Sequence, residues 1–138
     1  MLLSEQFLID CIELGCKGGH YFKAIDYVQT NGLAIASRSY PYLDAQGLSC
    51  PADSILAPLT VTSFDRYPLI PDEEKLKEVV GTIGPVAAGI DGSLDTFSFY
   101  STGIYYDERC SNTTINHAIL IVGYGTEAAG DYWWIRNS

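Results

Sequence analysis

His117 and Asn137 are the two residues of this chain whose types can cooperate in proton transfer. An imidazole titrates near neutrality, so it can take and return a proton at ordinary pH. An amide oxygen that accepts one ring N–H fixes the tautomer and orientation of that ring. This is the part of the third member in a Cys-His-Asn arrangement. His117 stands at the entrance of an apolar run, Ala118-Ile119-Leu120-Ile121-Val122, which leads into Gly123-Tyr124-Gly125. A continuous hydrophobic segment of that length predicts a strand buried on both faces. After a loop, Tyr132-Trp133-Trp134-Ile135-Arg136-Asn137-Ser138 is rich in aromatic and branched residues and predicts a second strand. Antiparallel pairing of the two brings Asn137 toward His117. The same residues also have a structural reading: a His at a strand entrance, and an Asn used for turn chemistry.

Such a pair would serve a thiolate. The four cysteines are Cys11, Cys16, Cys50 and Cys110. A reactive thiol needs a base beside it, and nothing in the sequence around these four supplies one. None forms a C-x-x-C pair, which argues against a zinc site. Four cysteines allow three complete disulfide pairings in an oxidising compartment. Asn112-Thr113-Thr114 is an N-x-T acceptor, a further hint of a secretory route.

The elements that must position these groups belong to a chain of 138 residues, a normal length for one domain. Hydrophobic residues make up 47% of it, enough for a real core. There is no run of about 18 apolar residues that would span a membrane. The start, Met1-Leu2-Leu3-Ser4-Glu5, has no charged segment, apolar stretch and small-residue cleavage site, so no secretory signal is expected in this chain. Seventeen acids against 8 bases give a formal charge of −9, which disfavours nucleic acid and anionic membranes as partners. Asp72-Glu73-Glu74 is the one acidic run, and the rest read as a solvated acidic surface.

Ser4 is a good N-cap, and Phe7, Leu8 and Cys11 recur at helical spacing, so a helix is predicted over 4–12. Gly15-Cys16-Lys17-Gly18-Gly19 predicts a turn with exposed backbone. Glycines there are either a plain loop or an edge that an extended peptide can hydrogen-bond. A second helix is predicted over 20–31, with Tyr21, Ala24, Ile25 and Val28 on one face and Gly32 as its stop. Leu33 to Ala36 is a short apolar segment, Tyr40-Pro41-Tyr42 turns the chain, and 43–60 is loop-like. Residues 60–66 are expected to be a strand. A third helix is predicted over 72–83, with acids in its first turn and Leu76, Val79, Val80 and Ile83 as a core stripe. Gly84-Pro85 ends it, and 85–91 is a strand. Asp91 to Gly103 is either a short helical turn or aromatic loop packing. The sheet is completed by 117–124 and 132–137.

Taken in order, these stretches resemble the papain and cathepsin family of cysteine proteases. The resemblance lies in Leu3-Ser4-Glu5-Gln6…Asp10-Cys11, Gly15-Cys16-Lys17-Gly18-Gly19, Tyr40-Pro41-Tyr42, Gly84-Pro85-Val86, Asn116-His117-Ala118…Val122-Gly123-Tyr124-Gly125 and Trp134-Ile135-Arg136-Asn137-Ser138. It runs over essentially the whole chain. It implies an α+β, papain-like fold: a helical left-domain remnant (1–59) packed on an antiparallel, β-barrel-like right domain (60–138), with a cleft between them. It implies His117 as the catalytic histidine and Asn137 as the residue that orients it. Gly18 and Gly19 match the backbone edge that holds the substrate. Tyr21, Gly89, Ile115, Asn116 and Ala118 match further substrate-binding positions, with glycine at 89 leaving the apolar pocket roomier. A Cys11–Cys50 disulfide is implied, with Cys16 and Cys110 unpaired in this chain. The resemblance also implies protein or peptide substrates, no cofactor or metal, a full-length monomer, and a lysosomal or secreted location.

The nucleophile is missing. The family's C-G-[SA]-C-[WY] segment occurs nowhere in the sequence. The family places its histidine about 130–150 residues after that cysteine. Only 116 residues precede His117, so the cysteine is expected before Met1, along with an oxyanion-hole glutamine. The tryptophan that covers the asparagine in the family is expected after Ser138. The chain is therefore expected to be a fragment of a cysteine-type endopeptidase, inactive alone. The competing expectation is a non-catalytic, truncated protease-like protein that binds peptides or has no activity.

Overall fold

The computed structural model describes residues 3–13, 15–32, 40–47, 49–50, 61–65 and 72–138. The chain divides into two units, Met1–Arg66 and Tyr67–Ser138.

The first unit carries helices α1 (Glu5–Cys11) and α2 (Tyr21–Asn31), joined through a 3-10 turn at Gly15–Lys17. Ser4 Oγ accepts the Phe7 N–H at 3.2 Å, satisfying one of the donors that a helix start leaves unpaired. His20 stands just outside α2 and caps it, its Nδ1 accepting the Phe22 N–H at 3.3 Å. Gly32 ends α2 at φ 80°, a conformation open to glycine at little cost. Phe7 and Val28 form the core, with Leu8, Cys11, Tyr27, Tyr40 and Val61 packed against them. Burying the whole Phe7 ring contributes about 1.5–3 kcal/mol.

A polar hub braces the same unit. Gln6 is fully buried; its amide N–H groups donate to Asp10 Oδ1 at 2.9 Å and to the Ala45 carbonyl at 2.7 Å, and its Oε1 accepts the Leu43 N–H at 2.8 Å. Tyr40 Oη donates to Asp10, and the Gly47 N–H donates to Asp10 Oδ1 at 2.5 Å. Desolvation raises the Asp10 pKa, but the hydrogen bonds from Tyr40, Gly47 and Gln6 outweigh it and leave the pKa below the ordinary carboxylate value. Burial, then the bond to Asp10, push the Tyr40 phenol up to about 12. Cys11 and Cys50 are joined by a disulfide across 39 residues, while Cys16 and Cys110 are exposed free thiols.

The expected strand over 60–66 does not form: residues 61–65 are irregular. Val61 and Phe64 are three apart, so the pattern does not hold the period of two that a strand requires. Val61 packs on the Phe7–Val28 core instead, and the Thr62 carbonyl accepts a 3.3 Å bond from Gln29 Nε2 of α2. The apolar segment 33–36 lies outside the described residues.

The second unit holds α3 (Glu73–Thr82), β1 (Val86–Ile90), a four-residue helix α4 (Asp95–Ser98), β2 (His117–Glu127) and β3 (Gly130–Arg136). Asp72 caps α3 through Lys75 N at 3.2 Å, and Gly84 leaves the helix at φ 140°. The strands form one antiparallel sheet in the order β1-β2-β3. It is open: among the described residues three strands do not close into the barrel-like form expected from the sequence. A two-residue turn joins Glu127 to Gly130, with Gly130 at φ 125°. Val80, Ile119 and Ile121 are the buried centre, flanked by Leu76, Val86, Ala88, Ile90 and Trp133.

Among the described residues the apolar run at 118–122 is fully covered on one face, while Leu120 on the other face is half-buried. Ile119 and Ile121 are buried under α3, whereas Ala118 and Val122 on the opposite face are exposed. A run of five apolar residues cannot reveal which of its faces another element will cover. Among the described residues no helix is long and apolar enough to cross a membrane.

Candidate active site

His117 opens β2, where it pairs with Ile90 of β1. Leu120 faces Arg136 and Ile121 faces Ile135, so one further step of the same register sets Asn137 opposite Ile119. His117 is two residues from Ile119 and shares its face, which makes His117 and Asn137 diagonal neighbours across the β2–β3 pair. Their side chains meet: His117 Nε2 lies 2.7 Å from Asn137 Oδ1. An amide oxygen only accepts, so this contact places the ring proton on Nε2 and leaves the Nδ1 lone pair available as a base. Nδ1 makes no hydrogen bond among the described residues. The Ser138 N–H donates to the same Oδ1 at 2.8 Å, which holds the amide from behind.

Three further features hold the imidazole. Phe97 of α4 sets its ring edge-on to it, with centroids 6.0 Å apart at 65°. Tyr105 backs Phe97 in turn, at 5.4 Å and 70°. The backbone of Gly92 passes so close that a Cβ there would stand 2.7 Å from His117 Cβ. His117 and Asn137 both line an open hollow of about 1040 Å³, with Phe97, Tyr105, Cys110 and Trp134 among its other walls.

Two carboxylates fasten the loops around this site. Asp91 is only 7% exposed, and its Oδ1 accepts the Ser93 hydroxyl at 2.6 Å, the Ser93 N–H at 3.1 Å and Asn116 Nδ2 at 3.2 Å. Its Oδ2 accepts the Ser111 N–H at 3.0 Å. The Ser93 hydroxyl first, then the two backbone donors and last Asn116 hold its pKa down at about 2, against the opposing pull of desolvation. Asp107 receives Arg109 Nη2 at 2.6 Å, Arg109 Nε at 2.9 Å and the Thr96 hydroxyl at 2.6 Å. The Arg109 bonds above all, then Thr96, hold it well below the usual carboxylate range. Thr96 precedes Phe97, so this clamp ties α4 to the loop that follows it.

The remaining expected positions fall as follows. Gly89 of β1 faces Ala118 of β2. The Ile115 Cγ2 methyl occupies the space that a side chain at Gly89 would take. The glycine thus admits Ile115 and does not add open room to a pocket, contrary to the sequence expectation. Asn116 is exposed, but its amide is spent within the loop: its Oδ1 accepts the Gly92 N–H at 2.8 Å, and its Nδ2 donates to Asp91 Oδ1 at 3.2 Å. Ile115 is exposed on one side, as is Ala118. Gly18, Gly19 and Tyr21 belong to the first unit. Gly18 has φ 102°, and among the described residues no atom beyond the chain neighbours lies within 4 Å of a Cβ built on Gly18 or Gly19, so none of them crowds this backbone edge. Tyr21 is half-buried, its ring 4.6 Å from those of His20 and Phe22.

Sequence reasoning missed Asp91, Phe97 and the Thr96–Asp107–Arg109 clamp as supports of the site. Asp91-Gly92-Ser93 carries the signature of an Asx turn and could have been singled out. Nothing local marks Phe97. Among the described residues, no group of His, Cys, Asp and Glu side chains could hold a metal ion.

The family model of papain family cysteine protease matches residues 1–138. Mouse (Mus musculus) cathepsin K is 40% identical over 140 residues, covering 100% of this chain and 42% of that protein. Digestive cysteine proteinase 3 of Homarus americanus is 43% identical, covering 99% of this chain and 43% of its own length. The structure of digestive procathepsin L 3 from the larval midgut of Tenebrio molitor superposes with a TM-score of 0.88 at 38% identity, over 99% of this chain and 45% of that one. Bromelain of Ananas comosus, in complex with the E64 inhibitor, gives 0.84 at 31% identity, over 99% of this chain and 62% of that one. The chain spans about two fifths of the length of the curated relatives it matches.

Proposed function

The chain belongs to the papain family of cysteine proteases, and from that premise we propose that it supplies the histidine and asparagine of a cysteine-type endopeptidase centre. The nucleophilic cysteine of the working enzyme lies outside these 138 residues. The observation that carries this reading is the 2.7 Å contact between His117 Nε2 and Asn137 Oδ1.

In this reading Asn137 holds the ring with its proton on Nε2, so Nδ1 takes the thiol proton and a thiolate–imidazolium pair results. The thiolate attacks the scissile carbonyl. The imidazolium gives its Nδ1 proton to the departing amine, leaving a thioester, and water hydrolyses that ester with the imidazole as base. In this reading Gly18 and Gly19 of the first unit offer main-chain groups to an extended peptide; of the second unit, Ile115 and Ala118 are exposed and free to touch substrate side chains. The likeness to cathepsins supports protein or peptide substrates, and a lysosomal or secreted location belongs to the same reading.

The 138 residues alone are inactive in this reading. His117 and Asn137 shuttle and orient a proton but form no covalent intermediate. The lost oxyanion donors matter as well, since removing even one costs about 10²–10³ in rate. A chain that binds peptide without turnover is the second reading, favoured for this segment by the absence of C-G-[SA]-C-[WY].

A dipeptidyl fluorogenic substrate with leucine or phenylalanine at the upstream position, under reducing conditions, tests both. The full-length protein should turn it over and lose activity to a thiol alkylator, and the 138-residue chain should not turn it over. A full-length protein that encodes no upstream C-G-[SA]-C-[WY] segment and shows no turnover would leave the second reading standing. Alkylator-sensitive turnover by the 138 residues would move the nucleophile to one of the present cysteines.

A further inference from the structure

We propose that Asn112 is an N-glycosylation site, presented on a loop that the buried Asp91 carboxylate fastens beside the His117 strand. The inference rests on the secretory or lysosomal reading above, since only that route exposes the chain to the transferase.

Asn112-Thr113-Thr114 is the one complete N-x-Ser/Thr triplet in the sequence, and no proline stands in its middle. All three residues are exposed. The Asn112 side chain makes no hydrogen bond among the described residues. Its neighbours differ in that respect. Asn116 is spent on Gly92 and Asp91, and Asn137 on His117. The hydroxyls also divide. Thr113 Oγ1 lies 3.2 Å from Ser111 Oγ, whereas Thr114 Oγ1, in the position that the transferase reads, makes no hydrogen bond among the described residues.

The backbone presents the acceptor in a fixed turn. Ser111 Oγ accepts the N–H groups of Thr113 at 3.2 Å and Thr114 at 2.9 Å. The Ser111 N–H is anchored on Asp91 at 3.0 Å. Asn112 thus stands in a turn whose Ser111, Thr113 and Thr114 N–H groups are satisfied, with its own amide exposed and unpaired among the described residues.

In the reaction Asn112 Nδ2 attacks C1 of an oligosaccharide carried on a polyprenyl diphosphate. The new N–C1 bond forms as the C1–O bond breaks, the diphosphate leaves with the bonding pair, and the amide gives up one proton to it. The product is a bulky, solvated group five residues before His117, on the loop and outside the proton-transfer machinery.

The test is translation of the full-length precursor, behind a cleavable secretory leader, in the presence of microsomal membranes. Peptide-N-glycosidase in heavy-oxygen water should convert Asn112 to labelled Asp in the tryptic peptide that holds it. Thr114→Ala should abolish the label and Thr114→Ser should keep it. Asn112→Gln should leave kcat/KM of the secreted enzyme within about twofold, as for a surface change. An unlabelled Asn112 peptide from imported protein overturns the proposal. A mechanism-based thiol label on the same samples separates the two readings. Thiol-labelled but unglycosylated protein sinks only the glycan site, and glycosylated but thiol-unreactive protein sinks only the peptidase.

Discussion

Asn137 Oδ1 meets His117 Nε2 at 2.7 Å across 20 residues of sequence, because the β2–β3 register sets the two on one face at diagonal positions. The pair is a consequence of register, so a one-residue slip would send the side chains to opposite faces. On the proposed reading, Asn137→Ala in the full-length protein should lower kcat/KM by roughly 10–10², a part of what a general base contributes. Because Asn137 is exposed, the melting temperature should barely move. Steady-state kinetics and thermal unfolding on the same preparation check both halves.

Phe97 acts on His117 through its ring edge and is itself backed by Tyr105. Edge contacts of this kind are worth about 0.5–1.5 kcal/mol, so Phe97→Leu should lower kcat roughly two- to tenfold. On the proposed reading KM should change little, because the ring touches the imidazole proposed as the base. An increase in KM with unchanged kcat would instead make Phe97 part of a binding wall.

Asp91 predicts an acid limb of stability. Its folded pKa, about 2, lies below an unfolded value of about 3.9. Its contribution is therefore fully present above pH 4–5 and is lost as pH falls through about 2. Asp91→Asn should be less stable than the parent at pH 6, and the gap should close toward pH 2. Thermal unfolding across that range measures it; a gap that persists at pH 2 would assign the effect to shape and not to charge.

Tyr40 predicts the opposite limb. Its phenol is raised from 10.0 to about 12, so the neutral form is the one that folding favours. The contribution holds below pH 10 and is lost as pH rises through about 12. Tyr40→Phe should flatten the alkaline fall in stability while losing the bond to Asp10 at every pH. Denaturant midpoints at pH 7 and pH 11 distinguish the two effects.

The Cys11–Cys50 bridge closes a loop across 39 residues, which makes it worth roughly 3–4 kcal/mol in the chain-entropy account. Cys50→Ser should lower the unfolding midpoint accordingly, and reductant should bring the parent to the same value. Non-reducing peptide maps should recover Cys11 linked to Cys50, with Cys16 and Cys110 open to alkylation.

By itself the sequence determined what is short-range. Ser4 and Asp72 cap helices through donors three residues away, and Gly32 and Gly84 end them, because capping and positive φ depend on neighbours along the chain. The ordered set of family stretches also singles out His117 and Asn137. Only the tertiary structure decided what reaches across loops. Asp91 gathers donors from Ser93, Ser111 and Asn116, separated by up to 25 residues. Ile115 fills the space beside Gly89, and Phe97 meets the His117 ring. The open face of β2 and the irregular path of 61–65 belong to the same class. Burial and side-chain partnership are set by which elements come to lie on a face, and an apolar run or a lone carboxylate reads the same in sequence whichever way that falls.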